Sequence, residues 1–244
     1  MLEVSNLVVE VNNKIVINDV SIKVETGSVT ALMGPNGSGK TSLVYAIMGH
    51  PYYRILKGSI VIDGLDYTFK PTHERALAGL FLVFQNPIEL PGVSLESLIR
   101  SAINKRLGKN DLLEHVPGLS EKILGEAKLI GLKDELIARD LNIGFSGGER
   151  KRSEILQARV LKPKYLILDE PDSGLDVDGV RIIADYIKEV AYSNGGVLLV
   201  THNPTLLGYI EPSIIYVMLD GRIVAEGGLE IADKIAREGY NWLR

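Results

Sequence analysis

The chain carries Gly34-Pro35-Asn36-Gly37-Ser38-Gly39-Lys40-Thr41, with Ser42 next. This is the spacing G-x-x-x-x-G-K-[ST]. Glycines let successive backbone N–H groups wrap an anion, and the following helix directs its positive end at it. Lys40 then reaches the outer phosphates, and the Thr41 hydroxyl a divalent cation. A second candidate closes the apolar run Tyr165–Leu168, where Asp169 and Glu170 stand side by side. One carboxylate of such a pair holds the cation, partly through water, while the other orients and deprotonates an attacking water. Alone, the pair reads equally well as a strand followed by an acidic helix cap. Beside a phosphate loop it points to nucleotide hydrolysis. Ser146-Gly147-Gly148 precedes a helix expected over Glu149–Leu161. It offers a hydroxyl and N–H donors to an anion, although in isolation it is a plain helix cap.

These groups need a scaffold, and the apolar pattern supplies one. Leu2–Val9, Ile15–Val24 and Ser59–Ile62 read as strands, the last running into the turn pair Asp63-Gly64. Val29–Met33, Leu80–Phe84, Tyr165–Leu168, Val197–Val200 and Ile214–Leu219 are short apolar runs without alternation. Such runs suit strands covered on both faces. From about Leu95 to Leu161 the apolar residues recur at helical spacing. After Tyr165 strand and helix alternate, with a helix expected over Val180–Tyr192, which implies a parallel sheet. The expected fold is therefore α/β: a nucleotide-binding core, an N-terminal antiparallel β subdomain and an inserted helical subdomain. The expectation is a single domain over residues 1–244, with approximately 90–161 as the helical insertion.

Composition narrows the class. The 244 residues include 27 Lys plus Arg against 31 Asp plus Glu, and a net charge of −4 speaks against a general nucleic-acid or anionic-membrane binder. With no cysteine the chain can supply neither a disulfide nor a thiolate for a metal cluster, and a cytoplasmic address fits. The start Met1-Leu2-Glu3-Val4 shows no signal-peptide pattern, and no apolar run approaches a membrane span, so no direct membrane insertion is expected. His50, His73 and His115 sit beside turn-like or polar sequence and read as surface residues. Arg150-Lys151-Arg152 reads as a solvated helix face rather than a nucleic-acid patch.

Taken in order, the motifs resemble those of the ATP-binding-cassette (ABC) ATPases. Phe145-Ser146-Gly147-Gly148-Glu149-Arg150 resembles the ABC signature, with Glu149 where glutamine is usual and Phe145 where leucine is usual. Asp169-Glu170 matches the Walker B pair, and Ser173-Gly174-Leu175-Asp176 is similar to the D-loop. Thr201-His202 resembles the switch histidine and Gln85 the Q-loop glutamine. The resemblance implies ATP and Mg²⁺ as cofactors. It makes Gly34 through Ser42 the ATP-binding loop, Thr41, Gln85 and Asp169 the metal site, and Glu170, His202 and Gln85 the catalytic group. Ser146, Gly147, Gly148 and Glu149 would act in trans on ATP held by a second copy, in a head-to-tail dimer, with the Asp176 loop beside them. Family members often stack an aromatic residue on the adenine. The corresponding place here is near Val11, so the base contact is expected to be aliphatic.

A finer resemblance is to the SufC family, the ATPases of SUF iron–sulfur cluster assembly. It rests on the stretch Asn142–Gln157, on Phe84-Gln85-Asn86-Pro87-Ile88-Glu89-Leu90-Pro91-Gly92-Val93, on Asp172–Asp176, and on Gly239-Tyr240-Asn241-Trp242-Leu243. It implies SufB, and often SufD, scaffold proteins as partners, with ATP-driven pairing deforming the scaffold. The alternative is the ATPase subunit of a membrane ABC transporter. A DNA-repair cassette is disfavoured because no long coiled-coil insertion separates the phosphate loop from the signature.

Overall fold

The computed structural model describes residues 1–243. In chain order the elements are β1 (Leu2–Val11), β2 (Lys14–Val24), β3 (Ser28–Met33), α1 (Lys40–Met48), β4 (Arg54–Ile62), β5 (Leu65–Asp66), α2 (Thr72–Leu77), β6 (Leu80–Val83), β7 (Leu90–Ser94), α3 (Leu95–Arg106), α4 (Leu119–Leu129), β8 (Asp140–Leu141), α5 (Gly147–Leu161), β9 (Tyr165–Asp169), α6 (Val177–Tyr192), β10 (Gly196–Val200), α7 (Pro204–Ile210), β11 (Ile214–Leu219), β12 (Arg222–Gly227) and α8 (Leu229–Glu238).

The central sheet runs β12-β11-β3-β10-β9-β6. Its strands are parallel except for β12, which returns antiparallel along β11. Alternate side chains of each parallel strand enter two different cores, which is why these strands read as largely apolar runs without alternation. Val29, Ala31 and Met33 of β3, with Val197 and Leu199 of β10, face the helices α5 to α8 and the helical region. Leu32, Leu198 and Val200 face α1 and the second sheet. That second sheet, ordered β2-β1-β4-β5, is antiparallel and N-terminal. Its turn residue Asp63 ties it to the core: Lys164 donates to Asp63 at 2.7 Å and the Tyr165 hydroxyl at 2.6 Å.

Between β6 and β9 the chain holds α3, α4 and α5 with the small pair β7–β8. Ile123, Ala127 and Ile130 pack under this region together with Leu95 and Ile99. The strands β5, β7, β8 and β12 were not read from the sequence. Helices α5 and α6 begin earlier than the apolar spacing suggests, because Ser146 and Asp176 cap them. Among the described residues, no helix is long and apolar enough to cross a membrane.

Candidate nucleotide site

The phosphate loop lies between the carboxyl end of β3 and the first residue of α1. The neighbouring parallel strands end level with it: Val200 pairs with Leu32 and with Asp169, and Val83 with Leu168. Gln85, Asp169, Glu170 and His202 therefore meet at the carboxyl edge of one sheet, where open α/β folds place their ligands. Backbone geometry accounts for the glycines. A Cβ on Gly34 would lie 2.3 Å from the Met218 carbonyl, and Gly39 has a φ of +108°. The turn between β11 and β12 braces the loop from behind, as Gly221 N–H donates to the Ser38 carbonyl at 2.8 Å.

A cleft of about 500 Å³ opens over the loop, lined by Asn36, Gly37, Gly39, Lys40, Thr41, Ser42, Gln85 and Glu170, with Ile15, Val16, Asp220 and Gly221. Val11, expected at the base, is not in this lining. It pairs with Lys14 at the end of the β1–β2 hairpin, whose turn residues Asn12 and Asn13 both have positive φ. The turn carries the chain back over the cleft, so the aliphatic wall comes from Ile15 and Val16 of β2. Gly34, Pro35 and Ser38 lie in the loop itself but not on the cleft surface.

Lys40 is buried, and its ammonium donates to the Gly34 carbonyl at 2.8 Å and the Pro35 carbonyl at 3.0 Å. Burial pulls its pKa below the usual lysine value, while Glu170 and Asp169 counteract this. Asp169 shows the reverse: burial raises its carboxyl, the Thr41 hydroxyl opposes that rise, and Glu170 adds to it. Its Oδ1 is buried without a hydrogen-bond partner.

Glu170 has a φ of +46°, a conformation that costs a non-glycine residue about 1–2 kcal/mol. The turn aims its carboxylate into the cleft, where both oxygens are held. Gln85 Nε2 donates to Oε2 at 2.8 Å, and His202 Nδ1 lies 3.3 Å from Oε1. The His202 ring is otherwise exposed. A carboxylate so placed beside a phosphate loop can accept a proton from water.

The magnesium expected here fits the residues present. A hydroxyl (Thr41), an amide oxygen (Gln85) and an unpartnered carboxylate oxygen (Asp169) are hard donors suited to that cation. Among the described residues no cluster of three His, Cys, Asp or Glu side chains could hold a metal. A cation here thus relies on phosphate oxygens and water to complete its shell.

Ser146, Gly147, Gly148 and Glu149 do not line the cleft. They form the start of α5, closed by a reciprocal cap: Ser146 N–H donates to Glu149 Oε2 at 2.8 Å, and Glu149 N–H to Ser146 Oγ at 3.3 Å. The Ser146 bonds hold the Glu149 carboxyl below its usual range. Asp176 also stands outside the cleft and caps α6 through Gly179 N–H at 2.8 Å.

Several contacts at the site escaped the sequence reading. Asp172 accepts from Asn203 Nδ2 at 2.9 Å and Thr201 Oγ1 at 3.3 Å, joining the loop after Glu170 to the strand end that carries His202. The expected solvated face Arg150-Lys151-Arg152 needs correction. Lys151 is 4% exposed and donates to the backbone beside Gln85, while Arg150 pairs with Glu89. The signal was available only in part: Lys151 and Glu154 share one helix face at i, i+3, but their partner lies far away in sequence. Burial pushes the Glu154 carboxyl up to about 8.

Comparison with known proteins follows the same lines. The family model described as ABC transporter matches residues 17–173. Vegetative protein 296 of Bacillus subtilis is 42% identical over 100% of this chain and 93% of its own length. A probable ATP-dependent transporter of Synechocystis is also 42% identical, over 100% of this chain and 95% of its own. Among solved structures, a dimeric bacterial ABC transporter cassette superposes with a TM-score of 0.80 at 20% identity, covering 94% of this chain and 99% of that one.

Proposed function

Since this chain belongs to the ABC transporter family of ATP-binding proteins, we propose that it is a SufC-type ATPase, driving conformational change in a SufB/SufD scaffold during iron–sulfur cluster assembly. It is an ABC-type ATP hydrolase. In our reading residues 1–244 work as one cassette in the cytoplasm, with approximately 90–161 as the helical subdomain. Backbone N–H groups of Gly34 through Ser42 and the positive end of α1 receive the phosphates. Lys40 exchanges the Gly34 and Pro35 carbonyls for phosphate oxygens. Thr41, Gln85 and Asp169 would hold Mg²⁺, which offsets the charge on the transferred phosphoryl group. Glu170 takes the proton of the attacking water, steadied by Gln85 and His202. The chain's own signature stands outside its own cleft, so Ser146 through Glu149 serve a second copy, head to tail, with the Asp176 loop alongside.

The observation that carries the scaffold reading is the surface after Gln85. The Gln85 side chain touches Glu170, and three residues on Ile88 is 57% exposed, between Pro87 and the Glu89–Arg150 pair. A partner seated there feels the nucleotide state. Leu90 is half-buried against the core, so Ile88 is the free apolar anchor and Leu90 a lesser one. The names of relatives such as the Synechocystis protein favour a second reading, a cassette docked on membrane subunits. Co-purification decides between them. The chain is expected to bring down SufB-like protein, with or without SufD. Ile88→Asp is expected to abolish that complex, because an unpaired carboxylate is costly to bury, while ATP binding by the isolated chain survives. Recovery of the wild-type chain only with integral membrane subunits would overturn the scaffold reading.

A further inference from the structure

We propose that Lys151 and Glu154 are positioning residues that bind the Gln85 segment to α5, so that the state of one copy's nucleotide sets the signature it presents to the other. The inference rests on the ATPase reading above. Both side chains are buried, Lys151 at 4% exposure and Glu154 at 5%. Lys151 Nζ donates to the carbonyls of Phe84 at 2.6 Å and Gln85 at 2.8 Å. Phe84 N–H in turn donates to Glu154 Oε1 at 3.2 Å. The backbone at the root of the Gln85 loop is thus gripped by three hydrogen bonds, all from one helix. Helix α5 is also the helix capped by Ser146.

Burying an ammonium is expensive unless its bonds are made, while the Glu154 carboxyl, pushed up by burial, accepts from Phe84 N–H through Oε1 and leaves Oε2 unpartnered. The simplest apolar packing of α5 on β6 would need neither polar group. What the Lys151 ammonium adds is direction. Charge-assisted bonds to two successive carbonyls fix the peptide plane after Phe84 more tightly than apolar contact does. On its other side the same residue, Gln85, reaches Glu170. The connection therefore runs from Glu170 through the Gln85 side chain and carbonyl to Lys151, and along a rigid helix to Ser146. A shift of Gln85 tilts α5 and moves the signature donors. Nothing in the phosphate loop's own hydrogen bonds involves Lys151 or Glu154.

The test is a double-mutant cycle on the full chain, measured by steady-state ATP hydrolysis. Lys151→Met is expected to lower kcat by about tenfold or more and to leave ATP affinity of the single chain within about twofold. In a Gln85→Ala background the same change is expected to cost less than about twofold further, because its effect passes through Gln85. Lys151→Arg, which retains several donors, is expected to recover most of the activity. In a Glu170→Gln background, Lys151→Met is expected to weaken ATP-dependent pairing, a readout that a role confined to holding Gln85 beside Glu170 in one copy would leave alone. Should Lys151→Met fail to fold, Lys151→Gln replaces it in the cycle, with the same non-additivity expected. Unchanged kcat, or losses that add fully to those of Gln85→Ala, would overturn the proposal. No ATP turnover by the wild-type chain would instead sink the ATPase reading on which it rests.

Discussion

Arg75 offers a test of how the phosphate-loop helix is anchored. Its guanidinium is almost fully buried and donates to four backbone carbonyls: Lys70 at 2.8 Å, Ala46 at 2.8 Å, Ile47 at 2.6 Å and Thr68 at 2.9 Å. Two of these carbonyls belong to the last turn of α1, where a cation complements the helix dipole. Burial pushes the guanidinium down to about 10, so it stays charged at neutral pH. Arg75→Met keeps most of the volume and removes every donor. Each buried carbonyl left without a partner costs about 1–3 kcal/mol. Two effects offset part of this: Ala46 still accepts from Gly49 N–H, and the variant no longer desolvates a charge. A net loss of about 3–4 kcal/mol is expected, a fall in Tm of roughly 10 °C for a chain of this size. Arg75→Lys, with fewer and less suitably spread donors, should lose about half as much. Differential scanning calorimetry measures both. ATP should raise the Tm of Arg75→Met by as much as it raises wild type, because Arg75 does not line the nucleotide cleft. A shift under about 2 °C would refute the claim that Arg75 holds the end of α1.

Two further outcomes follow from the cleft. Ile15 and Val16 supply its aliphatic wall and present no π-face to a base, so GTP should bind within about tenfold of ATP, a gap of about 1.4 kcal/mol. A hundredfold preference in a competition experiment would refute the aliphatic contact. The signature stands outside its own cleft, so in Glu170→Gln protein Mg²⁺–ATP should raise the mass measured by light scattering from 26.7 kDa toward twice that value, and ADP should not. A monomer under saturating ATP, with scaffold present, would contradict head-to-tail pairing.

What could be read from the sequence was what is local in it. The phosphate loop and the Asp169-Glu170 pair are contiguous, and their chemistry follows from residue type at fixed spacing. The core strands announced themselves because both faces are buried, so Val197–Val200 carries no polar interruption. β7 carries Pro91 and Gly92, which disfavour a strand on sequence grounds, and β8 spans only two residues. The start of α5 was legible in principle, since Ser146 and Glu149 have capping-box spacing. Lys151 was not. Its burial depends on carbonyls of Phe84 and Gln85, which reach it only through the tertiary fold, and a lysine between two arginines otherwise suggests solvent. The lining of the cleft was not legible for a related reason: the β1–β2 turn, rather than position along the chain, brings Ile15 and Val16 over it.

The central claim is that Glu170, fixed between Gln85 and His202 at the carboxyl edge of the sheet, is the base for ATP hydrolysis. Phosphate release by Glu170→Gln at saturating Mg²⁺–ATP, set against wild type, tests it most directly. The amide keeps the size and the hydrogen-bonding place of the carboxylate but cannot take the proton. The account predicts a fall of about 10²–10⁴-fold in a protein that still binds ATP. Turnover equal to wild type would contradict it.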